Sequence, residues 1–254
     1  MTDGSALSWT ALIDGYAAGE GATQPFVHPR QIVGQGPSAN LSLHVSTVDE
    51  LFAGLAVVHS DPPVFTIDDI LTAAVCDRLI RQTLSGRGMS LGRSATHGGS
   101  STVRSSSSWL LNNRDCPELI SAAELLSGIS SENFEAVQII RYRHAEEYTV
   151  HLDHLAKESR GAHGNRLATL LVYLNSPLHG GGGGETSFRD LNLEISPLQG
   201  KGLLFFPSFR GGEPDFRTAH SSRPVLADNT KWCAQIFMRQ EAFSVTDRAA
   251  LMSY

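Results

Sequence analysis

Val137-Gln138-Ile139-Ile140-Arg141-Tyr142 is a short run rich in β-branched and aromatic side chains, and around it the chain changes character. From Glu135 onward, similar runs follow at 167–174, 202–207 and 232–239, most of them separated by Gly, Pro, Asn or Asp. That composition favours short strands. Upstream, Ile67, Ile70, Leu71, Ala74, Val75 and Leu79 recur at helical spacing and predict an amphipathic helix over 66–84. Pro117 fits the first position of another helix, with Leu119, Ile120, Ala123 and Leu126 on its apolar face. Ser46-Thr47-Val48-Asp49-Glu50 reads as a capped helix start, followed by Leu51, Phe52 and Leu55. The Gly- and Ser-rich stretch 85–108 reads as loop or short edge strands. Helices first and many strands afterwards give an α+β chain, an antiparallel barrel or jelly roll with N-terminal helices packed against it.

Asp61-Pro62-Pro63 breaks the pattern and divides the chain into an N-terminal extension, 1–60, and a main domain, 61–254. The charge is mildly negative, 20 basic against 26 acidic side chains, with no Lys/Arg cluster, which argues against nucleic acid as a partner. Cys76, Cys116 and Cys233 have neither metal-ligand spacing nor an even count, so they read as reduced thiols. Residues 1–22 lack the pattern of a signal peptide, and no stretch is apolar enough to cross a membrane. A cytoplasmic, membrane-free setting is expected. The sequence sets no oligomeric state.

The chemistry begins at His151-Leu152-Asp153. On a strand, residues i and i+2 share a face, so an imidazole and a carboxylate project together. Two histidines and one carboxylate with open positions suit a non-haem Fe(II) oxygenase. His220 supplies a second imidazole, and Lys231, eleven residues later, a cation for a distal carboxylate. His144-Ala145-Glu146 is a rival pair, whereas His154 and His163 read as supporting or exposed. Arg141 and Arg143 are candidates for a substrate carboxylate. The run Gly180 to Gly184 is followed by Glu185-Thr186-Ser187 rather than Lys-Ser/Thr, so it reads as a mobile turn at the site mouth, not a phosphate loop.

These residues stand in an ordered set. Gln138 to Tyr142 and Tyr148-Thr149-Val150-His151-Leu152-Asp153 are followed by Arg166-Leu167-Ala168-Thr169, Leu174-Asn175 and Gly183-Gly184-Glu185-Thr186-Ser187-Phe188. The set closes with Pro197 to Gly202, Arg217-Thr218-Ala219-His220, Pro224-Val225 and Lys231-Trp232, and Val103-Arg104-Ser105-Ser106 precedes it. In this order the chain resembles the prolyl 4-hydroxylase-like branch of the Fe(II)/2-oxoglutarate dioxygenases, and the first sixty or so residues stay unmatched.

The resemblance implies a double-stranded β-helix (jelly-roll) core. It implies Fe(II) on His151, Asp153 and His220, and 2-oxoglutarate held by Lys231, Tyr142 and Thr186, with ascorbate as an optional reductant. Phe237 stands where relatives often carry Trp. The step from His220 to Lys231 is one residue longer than the family pattern, and a bulge would absorb it. The expected reaction consumes O2, releases succinate and CO2, and hydroxylates an aliphatic carbon of a prolyl/peptidyl or amino-acid-like substrate. The unmatched N-terminal part tilts that expectation towards a small molecule. Asp153 favours hydroxylation over halogenation. Desaturation or cyclisation is the alternative outcome, and a non-catalytic jelly-roll binding protein is the remaining reading.

Overall fold

The strand that opens the second half forms at the boundaries read for it, β5 (Val137–Tyr142). The computed structural model describes residues 41, 43–44, 48–93, 104–177 and 182–244. Among them a large antiparallel sheet runs, in spatial order, β1 (Leu55–Ser60), β2 (Pro63–Ile67), β10 (Gly202–Phe205), β7 (Arg166–Tyr173), β12 (Lys231–Arg239), β5, β4 (Ser107–Leu111) and β3 (Met89–Arg93). A small antiparallel sheet runs β6 (Tyr148–His151), β11 (His220–Ser222), β8 (Thr186–Phe188) and β9 (Leu193–Ile195).

β12 shows why two sheets and a helical layer fit together. All of its residues are buried, yet alternate ones serve different cores. Trp232, Ala234, Ile236 and Met238 join an outer cluster, with Leu170, Val172 and Leu204. That cluster includes Val75, Cys76 and Leu79 of α1 (Ala73–Leu84), and Leu119, Ala122, Ala123 and Leu126 of α2 (Pro117–Ser127). Cys233 joins Ile140, Tyr142, Leu171, Tyr173 and Phe205 in a second cluster, which the small sheet completes with Phe188 and Ile195. The functional site lies on this inner side.

Several upstream expectations need correction. The helix read over 66–84 begins only at Ala73, capped by Thr72, whose Oγ1 accepts from the Val75 amide at 3.2 Å. Ile67 belongs instead to β2, wholly buried and paired with β10, because the long-range ladder overrides local periodicity. The capped helix expected near residue 46 is absent from the described part of that stretch. Val48 and Phe52 are buried in the outer cluster from non-helical backbone, and Leu55 opens β1. Asp61-Pro62-Pro63, read as a domain boundary, is the turn between β1 and β2, so the sheet starts upstream of it. Among the described residues, both α1 and α2 follow the first hairpin. Pro117 does open α2, and Gly128 ends it in the left-handed region. Among the described residues no helix is long and apolar enough to cross a membrane.

All three cysteines are free and buried, and desolvation pushes the thiols of Cys76 and Cys116 up to about 12. Desolvation also raises Cys233. A thiol reagent at neutral pH should therefore titrate no fast-reacting group in native protein and all three in denaturant. Rapid labelling of a folded sample would contradict this packing.

Candidate metal centre

Antiparallel pairing of β11 with β6 places His220 directly opposite His151. Asp153 lies two residues past the end of β6, in a bend rather than on the strand. Its Oδ1 is 3.5 Å from His151 Nε2, and its Oδ2 is 3.7 Å from His220 Nε2. The three ligand atoms all lie within 4.8 Å of one another. Tyr148 stacks on His151 with centroids 3.5 Å apart, while Phe188 and Phe205 wedge the His220 ring at 5.4 and 4.6 Å.

Hydrogen bonding decides what this cluster is built to hold. Nδ1 of His151 lies 2.8 Å from the Thr149 carbonyl, and Nδ1 of His220 lies 3.1 Å from the Thr218 carbonyl. A carbonyl only accepts, so each Nδ1 carries a proton, and Nε2 is the ring nitrogen each histidine presents to a metal. Both Nε2 atoms face the Asp153 carboxylate. Asp153 Oδ2 is held from behind by Thr169 Oγ1 at 2.9 Å and Gln235 Nε2 at 3.3 Å. Burial works against ionisation of Asp153, yet the His220 and His151 rings and the Arg166 guanidinium outweigh it and hold the carboxyl well below its usual range. Desolvation pushes His220 down to about 4, so it is neutral at pH 7. Two imidazole nitrogens and one carboxylate converging on one point fit Fe(II).

A narrow cavity runs from these histidines to Lys231. The Lys231 ammonium is 1% exposed and donates to Ser222 Oγ at 2.8 Å, 5.1 Å from the Tyr142 ring centroid. No described carboxylate pairs with it within salt-bridge distance, and burial lowers its pKa. A desolvated, unneutralised cation at the far end of a cavity beside the metal ligands fits the distal carboxylate of 2-oxoglutarate. Thr186 lines the same cavity, its Oγ1 accepting from Tyr173 Oη at 2.7 Å, and the buried Tyr142 lines it too. The extra residue before Lys231 makes no bulge. It is taken up in the preceding loop, where Ala227 has φ 52° and Asn229 closes on the Leu226 carbonyl, so the β12–β5 register from Lys231 opposite Tyr142 is unbroken.

The rival pair separates. His144 is exposed, whereas Glu146 is buried and caps the Arg143 amide. Arg141 lies beside the stacked Trp109 and Trp232 rings and does not line the cavity, and Arg143 is exposed. His154 binds Ser208, Asn165 and Arg160, and His163 meets the Ala242 carbonyl. His179 and Gly180–Gly181 lie outside the described residues. Gly182 to Gly184 are buried, and the Gly184 amide donates to the Pro224 carbonyl at 3.1 Å. Ser222, Tyr173, Thr169 and Gln235 were not among the sequence candidates. Ser222 was reachable, since it stands at i+2 from His220 on one strand. The other three carry no local signal.

Two outcomes are expected from this geometry. A Cβ on Gly184, itself at φ 78°, would meet Lys231 Cδ at 3.1 Å, so Gly184→Ala should raise the KM for 2-oxoglutarate several-fold with Fe(II) affinity unchanged. The second concerns metal-free protein. Because folding lowers the His220 pKa from 6.5 to about 4, the unfolded chain takes up a proton across that window and the native state does not. Stability to urea should therefore fall by up to about 3 kcal/mol as pH drops from 6.5 to 4. Protonation of Asp153, lowered in the fold, adds a further loss below its ordinary 3.8. His220→Asn should flatten the first window, and an equal slope in that variant would count against the assignment.

The comparisons with known proteins point to one family. The family described as the 2OG-Fe(II) oxygenase superfamily matches residues 137–239. Prolyl 4-hydroxylase 1 of Arabidopsis thaliana is 30% identical over 219 residues, 74% of this chain and 72% of its own length. Prolyl 4-hydroxylase 2 of the same plant is 29% identical over 215 residues, 73% of this chain and 70% of its own. A solved viral collagen prolyl hydroxylase from Paramecium bursaria Chlorella virus-1, a 2OG complex, shares 27% identity at a TM-score of 0.55, covering 69% of this chain and 95% of that one. With the ligand triad, the buried lysine and this similarity together, the chain belongs to the prolyl 4-hydroxylase-like family of 2-oxoglutarate/Fe(II) oxygenases.

Proposed function

We propose that this oxygenase hydroxylates a prolyl residue within a peptide segment, releasing succinate and CO2. The observation that favours a peptide over a free amino acid is a groove of about 300 Å³ beside Asp153, lined by Arg104, Tyr148, Arg166, Gln235 and Phe237 among others. Arg104 donates through Nε to Ser106 Oγ, but its Nη2 is buried without an acceptor among the described residues. A main-chain carbonyl of an extended substrate supplies one. Glu135 receives both arms of Arg166 at 2.8 Å and Arg239 Nη1 at 2.9 Å, which holds Arg166 against the Phe237 ring and gives the groove a fixed wall.

Iron bound to His151, Asp153 and His220 together with 2-oxoglutarate supplies the oxidising power, coupling decarboxylation of the 2-oxo acid to transfer of one oxygen atom from O2. The chain's own residues set the geometry. Lys231 and Ser222 would fix the far carboxylate with Thr186 and Tyr142 beside it, and Thr169 and Gln235 hold Asp153 in place through Oδ2. Phe188, Phe205 and Tyr148 keep water from the rings. A cytoplasmic setting belongs to the same proposal, supported by three free thiols.

A screen of proline-containing peptides against free proline and other free amino acids, following succinate and product mass together, tests the reading. Peptides should gain one oxygen with succinate formed in step, and His151→Ala should abolish both. Arg104→Ala should raise the peptide KM roughly tenfold, about the loss of one charged hydrogen bond. Oxygen gained only by free amino acids would overturn the peptide reading. Loss of two hydrogens would mean desaturation or cyclisation instead.

A further inference from the structure

His220 emerges from a single 3-10 turn, Phe216–Thr218, and the last carbonyl of that turn orients its ring. The turn is set by Asp215. Its Oδ1 accepts from the Arg217 amide at 3.2 Å, while its own carbonyl accepts from the Thr218 amide at 3.1 Å and the Thr218 hydroxyl at 2.8 Å. Asp215 is only 2% exposed and is gripped from two sides. Arg217 donates through Nε and Nη2 at 2.8 and 2.7 Å, and His44 Nε2 lies 3.1 Å from Oδ2.

His44 comes from far upstream, outside residues 137–239 that match the family. It is 1% exposed, between the rings of Phe206 and Phe209 at 5.7 and 5.0 Å. Its segment is pinned at both carbonyls, Leu43 by the Arg210 amide at 2.8 Å and His44 by Arg210 Nε at 3.4 Å. The His44 Nδ1 is buried with no hydrogen-bond partner among the described residues. An apolar side chain would fill that space without leaving a polar atom orphaned, so the bond to Asp215 is what the imidazole adds.

We propose that His44 is a positioning residue for the iron site. It fixes Asp215, Asp215 sets the turn, and the Thr218 carbonyl then aims the Nε2 of His220 at the metal. The upstream segment thereby supplies support that the matched domain lacks. The proposal rests on the iron-site reading given above, and its test separates the two.

The full-length chain is titrated anaerobically with Fe(II) in saturating 2-oxoglutarate, following the metal-to-ligand charge-transfer band, and the metal-free protein is melted in parallel. His44→Ala should weaken Fe(II) binding about tenfold, the size typical of losing an outer support of a ligand, while the limiting band intensity is kept. The KM for 2-oxoglutarate should not change, because Lys231, Tyr142 and Thr186 lie off this path. His44→Gln, whose amide can still donate to Asp215, should stay within about twofold of wild type. Wild-type affinity in His44→Ala overturns the proposal. So does equal weakening in both variants with a shared drop in metal-free melting temperature, which marks a packing defect. If His44→Ala does not fold, Asp215→Asn carries the test, with a loss of about three- to tenfold expected and unchanged affinity overturning it. A wild-type protein giving no band at all would sink the iron-site reading itself.

Discussion

The register of one short ladder carries the centre. β11 and β6 pair so that His220 faces His151, and a slip by one residue would turn both rings out of the cavity. With three residues, β11 cannot secure that register through its own hydrogen bonds. It is held from several sides instead: β8 pairs along its other edge, Phe188 and Phe205 wedge the His220 ring, and the Asp215 turn fixes its point of entry. The large sheet contributes the other half. β12 turns Lys231 and Cys233 towards the cavity and opposes Lys231 to Tyr142. The two histidines thus come from one sheet and Lys231 from the other. Their separation is set by the cluster of Tyr173, Phe188, Phe205 and their neighbours between the layers, and close packing gives that distance little freedom.

How far the sequence could be read depended on how local each cause was. β5 and α2 were legible because side-chain type, the Pro117 start and apolar spacing act within a few residues. His151 and Asp153 were legible as a pair, but for a partly different reason. Strand alternation predicts the shared side, yet a bend beyond β6 is what brings the carboxylate round. Ser222 could have been found by applying to His220 the same alternation that linked His151 to Asp153. Thr169, Tyr173 and Gln235 could not, since their roles depend on partners 16, 13 and 82 residues away in the chain. Ile67 was misassigned for a related reason, because β10, its partner strand, lies far downstream.

The charges of the site show the same division. Glu135 is shared between Arg166 and Arg239 and forms a closed structural unit in the groove wall. Lys231 and Asp153 are left open, each buried with polar neighbours yet without an opposite charge from a side chain that binds it fully. The first group organises the wall and the second receives ligands. Buried charge without a partner is costly in a protein interior, and under the proposed function a co-substrate carboxylate and a metal cation would supply the partners.

The proton locks on the two imidazoles have a consequence for the life of the chain. With His220 already neutral and Asp153 already ionised near pH 7, neither group must surrender a proton before accepting a cation, so capture there is a matter of supply rather than of acidity. A cation bound there stabilises the native state by mass action, since the unfolded chain lacks the assembled ligand set. Metal supply and folding equilibrium are then coupled quantities. Chains that go without iron are the ones more often open to proteolysis, and the abundance of the protein would follow the metal available to it.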